Sequence, residues 1–231
     1  MSGTLKIRDD TTWMPAGWIF DAVLRSIGKE LEREDVTLAE RLRNAQTDRY
    51  GYDDLHTLDS EKFRILQRSA EQAYMLAREQ GPQALFDPTS YTSVMIGFSQ
   101  FKALLRTDFR AKTREGDVAQ ITIDTDIIWQ APGWLDLVVE HIEAFLRTTN
   151  STLAEVIIGG RSSEGIERCN LQSLTPAQFR LLLEPAEFLF ARYGDNKIRD
   201  FGAPELLAEL APRIVEFRAL LYADPRIAND S

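Results

Sequence analysis

The chain has 231 residues, 44% hydrophobic and 10% aromatic, and carries 36 Asp and Glu against 27 Lys and Arg, for a net charge of −9. That apolar content fills packed cores and excludes a disordered chain. The acidity argues against a nucleic-acid binder, which displays a basic face.

No run reaches the roughly 18 uncharged apolar residues that a membrane helix needs. The start, MSGTLKIRDDTTW, lacks the apolar centre of a signal peptide, and the single Cys169 excludes an intrachain disulfide. The expectation is a cytoplasmic protein that spans no membrane.

Taken in chain order, LKIRD (5–9) alternates apolar and polar residues and predicts a short strand. The hexapeptide WMPAGW (13–18) follows, then an amphipathic helix of about four turns. A polar segment, RLRNAQTDRYGYDD, leads to a second helix opened by Asp59, a capping residue. GPQALFDPTS (81–90) reads as a loop and FKALLRTD as the end of a last helix. RAKTREGDVAQ (110–120) is polar and reads as a linker.

The order then starts again. ITIDTD (121–126) predicts a strand, WQAPGW (129–134) a second tryptophan corner, and Leu135, Val138, Val139, Ile142 and Leu146 the apolar face of a helix. VIIGGRSSEGIERC is variable and its start reads as a possible strand. Thr175-Pro176 opens the next helix, Pro185 kinks it, and FRALLYAD closes the chain's last helix.

A shift of 116 aligns Trp13, Gly17 and Trp18 with Trp129, Gly133 and Trp134, Phe63-Arg64 with Phe179-Arg180, Glu71 with Glu187, and Asp108 with Asp224. A shift of 115 pairs TLAE at 37–40 with TLAE at 152–155. The reading is a tandem duplication, with copies at 1–115 and 117–231 that pack together as one pseudo-symmetric unit. The fold class is α+β and α-rich, each copy holding one short strand and about three helices.

The repeated corner has two readings, an aromatic clamp for a ligand or a structural pin. The proline moves from Pro15 to Pro132 while the Trp and Gly positions hold, which favours the pin and predicts buried Trp18 and Trp134.

No residue set signals a catalytic site, a metal or a cofactor, and none is assigned. His56 and His141 are not shared by the copies, and Cys169 reads as a packed small residue. Asp124 and Asp126 share a strand face that can hold a cation, but the first copy has Arg8 and Asp10 there. IIGGRSSEG (157–165) lacks the Lys-Ser/Thr ending of a phosphate loop and reads as a turn. Arg64 and Arg180 read as helix-surface ion pairs rather than anion sites.

Charge separates the copies. Residues 1–116 carry 17 Lys and Arg and 18 Asp and Glu; residues 117–231 carry 10 and 18. Asp136, Glu140 and Glu143 fall at i, i+4 and i+7 of one helix and read as an exposed acidic stripe.

With Asp124 and Asp126, these are the candidate contacts for a basic protein partner. The segments 43–56 and 158–172, where the copies differ most, are the next candidates. The expected function is a protein-interaction module of the immunity or inhibitor type that neutralises a basic partner such as a toxin. The alternatives are a structural adaptor, or an enzyme with a site between the repeats. The oligomeric state is left open.

Overall fold

Leu5 and Ile7 are apolar, alternate with polar residues and are fully buried, which fixes the first strand, β1 (Thr4–Arg8), with one face on a core. The structure, a computed structural model, describes residues 3–48, 51–82, 90–111, 120–124, 127–130, 134–158, 161–162, 165–166, 168–194, 201–202 and 204–228. The chain divides into two compact units, Met1–Arg114 with Arg199–Ala203, and Glu115–Ile198 with Pro204–Ser231. Both are mixed α+β and helix-rich.

In unit 1, β1 turns back into β2 (Thr11–Trp13), with Leu5 opposite Trp13 and an irregularity between Lys6 and Arg8. Helix α1 (Gly17–Leu31) buries Phe20, Val23, Leu24, Ile27 and Leu31, one stripe at helical spacing. The Asp35 carboxylate opens α2 (Val36–Thr47), accepting from the Leu38 amide at 3.0 Å.

The chain then returns through β3 (Tyr52–Asp54), parallel to β1. Helix α3 (Ser60–Gln80) is capped by Asp59 and stops at Gly81, whose φ of 70° suits a residue without Cβ. Helix α4 (Tyr91–Arg106) follows and is buried on every face. The short strand Phe201–Gly202 adds to the outer side of β2.

Unit 2 also begins with a hairpin followed by two helices. Strands β4 (Gln120–Asp124) and β5 (Ile127–Gln130) form a hairpin with Ile121 opposite Trp129 and an irregularity between Thr122 and Asp124. Helices α5 (Leu135–Thr149) and α6 (Ser151–Ile158) come next, then the small ribbon of β6 (Arg161–Ser162) and β7 (Gly165–Ile166). Strand β8 (Arg168–Asn170) lies parallel to β4, with Cys169 opposite Ile121.

Thr175 and Gln178 form a capping box on α7 (Pro176–Arg180). The helix breaks before α8 (Leu183–Leu189), because Pro185 has no amide to give to the Leu181 carbonyl. A π-turn at Phe190–Gly194, strand β9 (the Phe201–Gly202 pair of unit 1), α9 (Pro204–Ala223) and α10 (Pro225–Ala228) complete the chain.

Three expectations are corrected. Each unit holds a sheet with three strands of its own rather than one, because Thr11–Trp13 and Ile127–Gln130 make the return arm of each hairpin too short to read by alternation. Val156 to Ile158 continue a helix rather than begin a strand. Arg110 and Ala111, read as linker, are buried, and Arg110 is a structural centre.

That centre occurs in both units. Arg110 makes two hydrogen bonds to the Asp108 carboxylate, both at 2.8 Å, and donates to the carbonyls of Leu55 (2.9 Å), Leu58 (3.0 Å) and Ile7 (2.9 Å). Arg226 does the same with Asp224 and with Leu171, Leu174 and Ile123. Each guanidinium lies on a phenylalanine, Phe63 at 4.0 Å and Phe179 at 3.8 Å. A planar five-donor group thus ties the end of the last helix to the first strand and to the turn before the third helix.

Candidate functional site

The tryptophans divide into two kinds. Trp13 and Trp129 end their hairpins fully buried, each 4.9 Å from a phenylalanine of the last long helix, Phe101 or Phe217. Trp134 is buried too, but Trp18 is 49% exposed, against expectation. The reason is a one-residue slip in the alignment after the corner. Trp134 precedes the first residue of α5, whereas Trp18 lies inside α1, about 200° around the helix from Phe20. Gly17 is the first residue of α1, and Gly133 lies outside the described residues.

The acidic stripe is overturned as a surface. Glu140 and Glu143 are 2% and 1% exposed, and Asp136 is half-buried in the first turn of α5. The sequence argument assumed that a helix with one apolar stripe turns its other side to water, and α5 is buried on both sides. Glu143 accepts from Arg147 Nε at 2.6 Å, and Arg147 also reaches Glu155. Burial takes Glu140 and Glu143 off the exposed surface on which the stripe was expected. Asp124 is exposed at the end of β4 and its charge acts on Arg226; Asp126 lies outside the described residues.

The other candidates have structural places. Cys169 is buried in β8, and burial pushes its thiol up to about 12, which leaves it unreactive. His56 is surface-exposed, 3.9 Å from Asp9. Arg64 donates to the Arg110 carbonyl at 3.4 Å.

His141 is fully buried, with Nε2 2.7 Å from the Tyr193 hydroxyl. Burial first, then the charge of Arg192, bring its pKa down to about 3, so the ring is neutral at physiological pH. Nδ1 has no partner in hydrogen-bonding geometry, although the Leu137 carbonyl one turn back slightly favours the proton. Among the described residues no three His, Cys, Asp or Glu side chains gather as a metal site, and no helix is long and apolar enough to cross a membrane.

A concave feature of unit 1 lies where α2 ends against β3. An open groove of about 400 Å³ is lined by Thr37, Glu40, Arg41, Asn44, Ala45, Asp48, Tyr52 and Asp53. It overlaps the variable segment 43–56 and extends nearly two turns of α2 before it.

Its floor is Arg41, whose Nε lies 2.8 Å from Asp53 Oδ2 and whose Nη2 lies 2.8 Å from Oδ1. The same Nη2 donates to the Asp54 carbonyl and to Thr57 Oγ1. The hydrogen bond to Asp53 outweighs partial burial and holds the guanidinium above its ordinary range. Its charge is therefore compensated within the floor.

The rim is different. The carboxylates of Glu40 and Asp48 and the ring of Tyr52 face solvent. Asp48 caps the C-terminus of α2, where the helix's own carbonyls add negative potential. Two carboxylates, a helix C-terminus and an aromatic face around one hollow suit a cation, and a planar guanidinium best.

The matching place in unit 2 is built otherwise. Val156 stands for Arg41, Cys169 for Asp53 and Arg168 for Tyr52. Sequence reasoning missed Arg41 and the Arg110 and Arg226 centres. For the latter the signal was available, since Arg110 and Arg226 obey the same shift of 116 as Asp108 and Asp224. Comparison of the chain with protein-family models, with curated proteins and with solved structures finds no match.

Proposed function

We propose that this chain is an interaction protein that binds a basic protein partner by taking an arginine or lysine side chain into the α2–β3 groove of unit 1. The observation that carries the reading is the pairing of a neutralised floor, Arg41 with Asp53, and an acidic, aromatic rim, Glu40, Asp48 and Tyr52. The net charge of −9 adds a long-range field that speeds the approach of a basic surface. An inhibitor of the immunity type is the member of this class that the acidity favours.

We infer further that the two units are copies of one module. Supporting this, β1–β2 and β4–β5 share a register and an irregularity offset by 116 residues, and so do the third strands. The buried stripe of α1 becomes that of α5 on adding 115. In a duplicated module, a floor ion pair present in one copy and replaced by Val156 and Cys169 in the other is specialisation rather than a need of the fold.

Calorimetric titration with a hexa-arginine peptide tests the binding reading. Saturable binding that weakens with salt, and falls about tenfold or more in Glu40→Lys/Asp48→Lys, is expected. Equal affinity in the wild type and the double variant removes the groove from the function.

A further inference from the structure

Two helix faces are covered in one unit and open in the other. On α4 of unit 1, Ile96, Ser99, Gln100 and Ala103 are at most 5% exposed. Adding 116 gives Pro212, Val215, Glu216 and Ala219 of α9, all of them exposed. With Ala208 and Tyr222, the apolar members form a single stripe along α9 at i, i+4, i+7, i+11 and i+14: Ala208, Pro212, Val215, Ala219 and Tyr222. Val215 is 44% and Tyr222 42% exposed, so the stripe presents apolar surface to water along four turns.

The converse holds for the first helices. Leu137, Glu140, His141 and Ala144 of α5 are at most 2% exposed. Their counterparts on α1, Ala22, Arg25, Ser26 and Lys29, reach the surface next to the exposed ring of Trp18.

We propose that the open face of α9 receives the open face of α1 from a second copy of the chain. Each face belongs to a helix whose counterpart buries the same positions, so burying this side is compatible with the shared fold at both places. The chemistry is complementary. Trp18 and Ala22 supply the apolar part opposite Val215 and Tyr222, and Ala208 and Ala219 allow close approach of the helices. Arg25 and Lys29 lie along α1, while Glu209 flanks the stripe of α9 together with Glu216, which Arg213 of the same helix contacts at 3.3 Å.

The two faces are different surfaces, so the contact is head-to-tail. Such a contact leaves one free face of each kind in every dimer, and copies add until a ring closes or concentration limits growth. This assembly is independent of the groove in unit 1, none of whose lining residues lies on α1 or α9.

Sedimentation velocity on the full chain over a range of concentrations gives the first reading. The average mass is expected to rise above the 26.3 kDa of one chain. Val215→Arg blocks the α9 face of every copy and Ala22→Arg blocks the α1 face, so each variant alone should remain at 26.3 kDa. Mixed together, the two should form a one-to-one dimer and stop there, because each retains the face the other needs. That dimer also shows that both variants are folded. A wild type that stays monomeric throughout overturns the proposal. So does an associating wild type whose two variants fail to pair when mixed, since a contact of identical faces would behave that way.

Discussion

The place where α2 meets the third strand is built from an ion pair in unit 1 and from Val156 and Cys169 in unit 2, although the surrounding frames match in register. A partly buried ion pair seldom outperforms apolar packing of similar volume, because desolvation offsets its attraction. In unit 2 the parallel pairing of β4 with β8 forms with Val156, 45% exposed, and Cys169 at these positions. The polar floor of unit 1 is therefore best understood through what it presents to solvent. By contrast, the arginine centres at Arg110 and Arg226 each hold an aspartate and a set of strand and turn carbonyls in the same way, as a requirement of the frame would.

If that contrast is right, mutations in the frame should act alike in both units. Arg110→Ala leaves the Asp108 carboxylate buried without its partner and should cost about 3–5 kcal/mol. Arg226→Ala should act in the same direction and less strongly, because Arg226 is 17% exposed against 4% for Arg110. Denaturant melts of each variant check this, and a negligible effect at Arg110 would deny it a structural role. Trp13→Ala and Trp129→Ala should each cost about 3–5 kcal/mol through lost burial and the cavity left behind. Trp18→Ala should cost less than about 1 kcal/mol on the same scale, since half of its surface is already in water.

Acid should separate the units. His141 has no counterpart in unit 1, and its folded pKa of about 3 lies below the unfolded value of 6.5. The unfolded chain thus binds the proton first as pH falls. The stability the neutral ring contributes is complete above pH 6.5 and declines between 6.5 and 3, by up to about 1.4 kcal/mol per pH unit. Stability measured from pH 7 to pH 4 should fall less in His141→Gln than in the wild type. Parallel curves would show that His141 does not titrate in this range.

The carboxyls of Asp108 and Asp224 behave similarly in both units. At Asp108 burial opposes ionisation but the hydrogen bonds from Arg110 outweigh it; at Asp224 the bond from Arg226 leads. Both are held below 3.8, so their contribution is present above that value and lost below it in either unit. The smallest expected effect is at the groove floor. Arg41→Val alone should cost roughly 1 kcal/mol, and adding Asp53→Cys should recover most of it. A double variant less stable than the single one would make the ion pair a structural requirement after all.

Much of the frame was legible because it rests on periodicity and caps. The five apolar positions of α5, the Asp59 and Thr175 caps and the break at Pro185 follow from local rules. The third strands were not legible, since YDD and RCN are short, carry no alternation and owe their strand state to pairing with β1 and β4. The burial of Glu140 and Glu143 escaped for a related reason. A sequence displays one apolar stripe of a helix but not whether its polar side is covered. The groove itself was hinted at only by divergence between the copies at 43–56, because Arg41 and Asp53 become a site through a contact twelve residues apart.

The most direct test of the binding account is chemical-shift mapping of the labelled chain during titration with the hexa-arginine peptide. The account predicts that amides of residues 37–48 and 52–54 move in a saturable way, while those of their counterparts at 152–158 and 168–170 stay still. Shifts confined to unit 2, or spread evenly over every acidic surface residue, would contradict it.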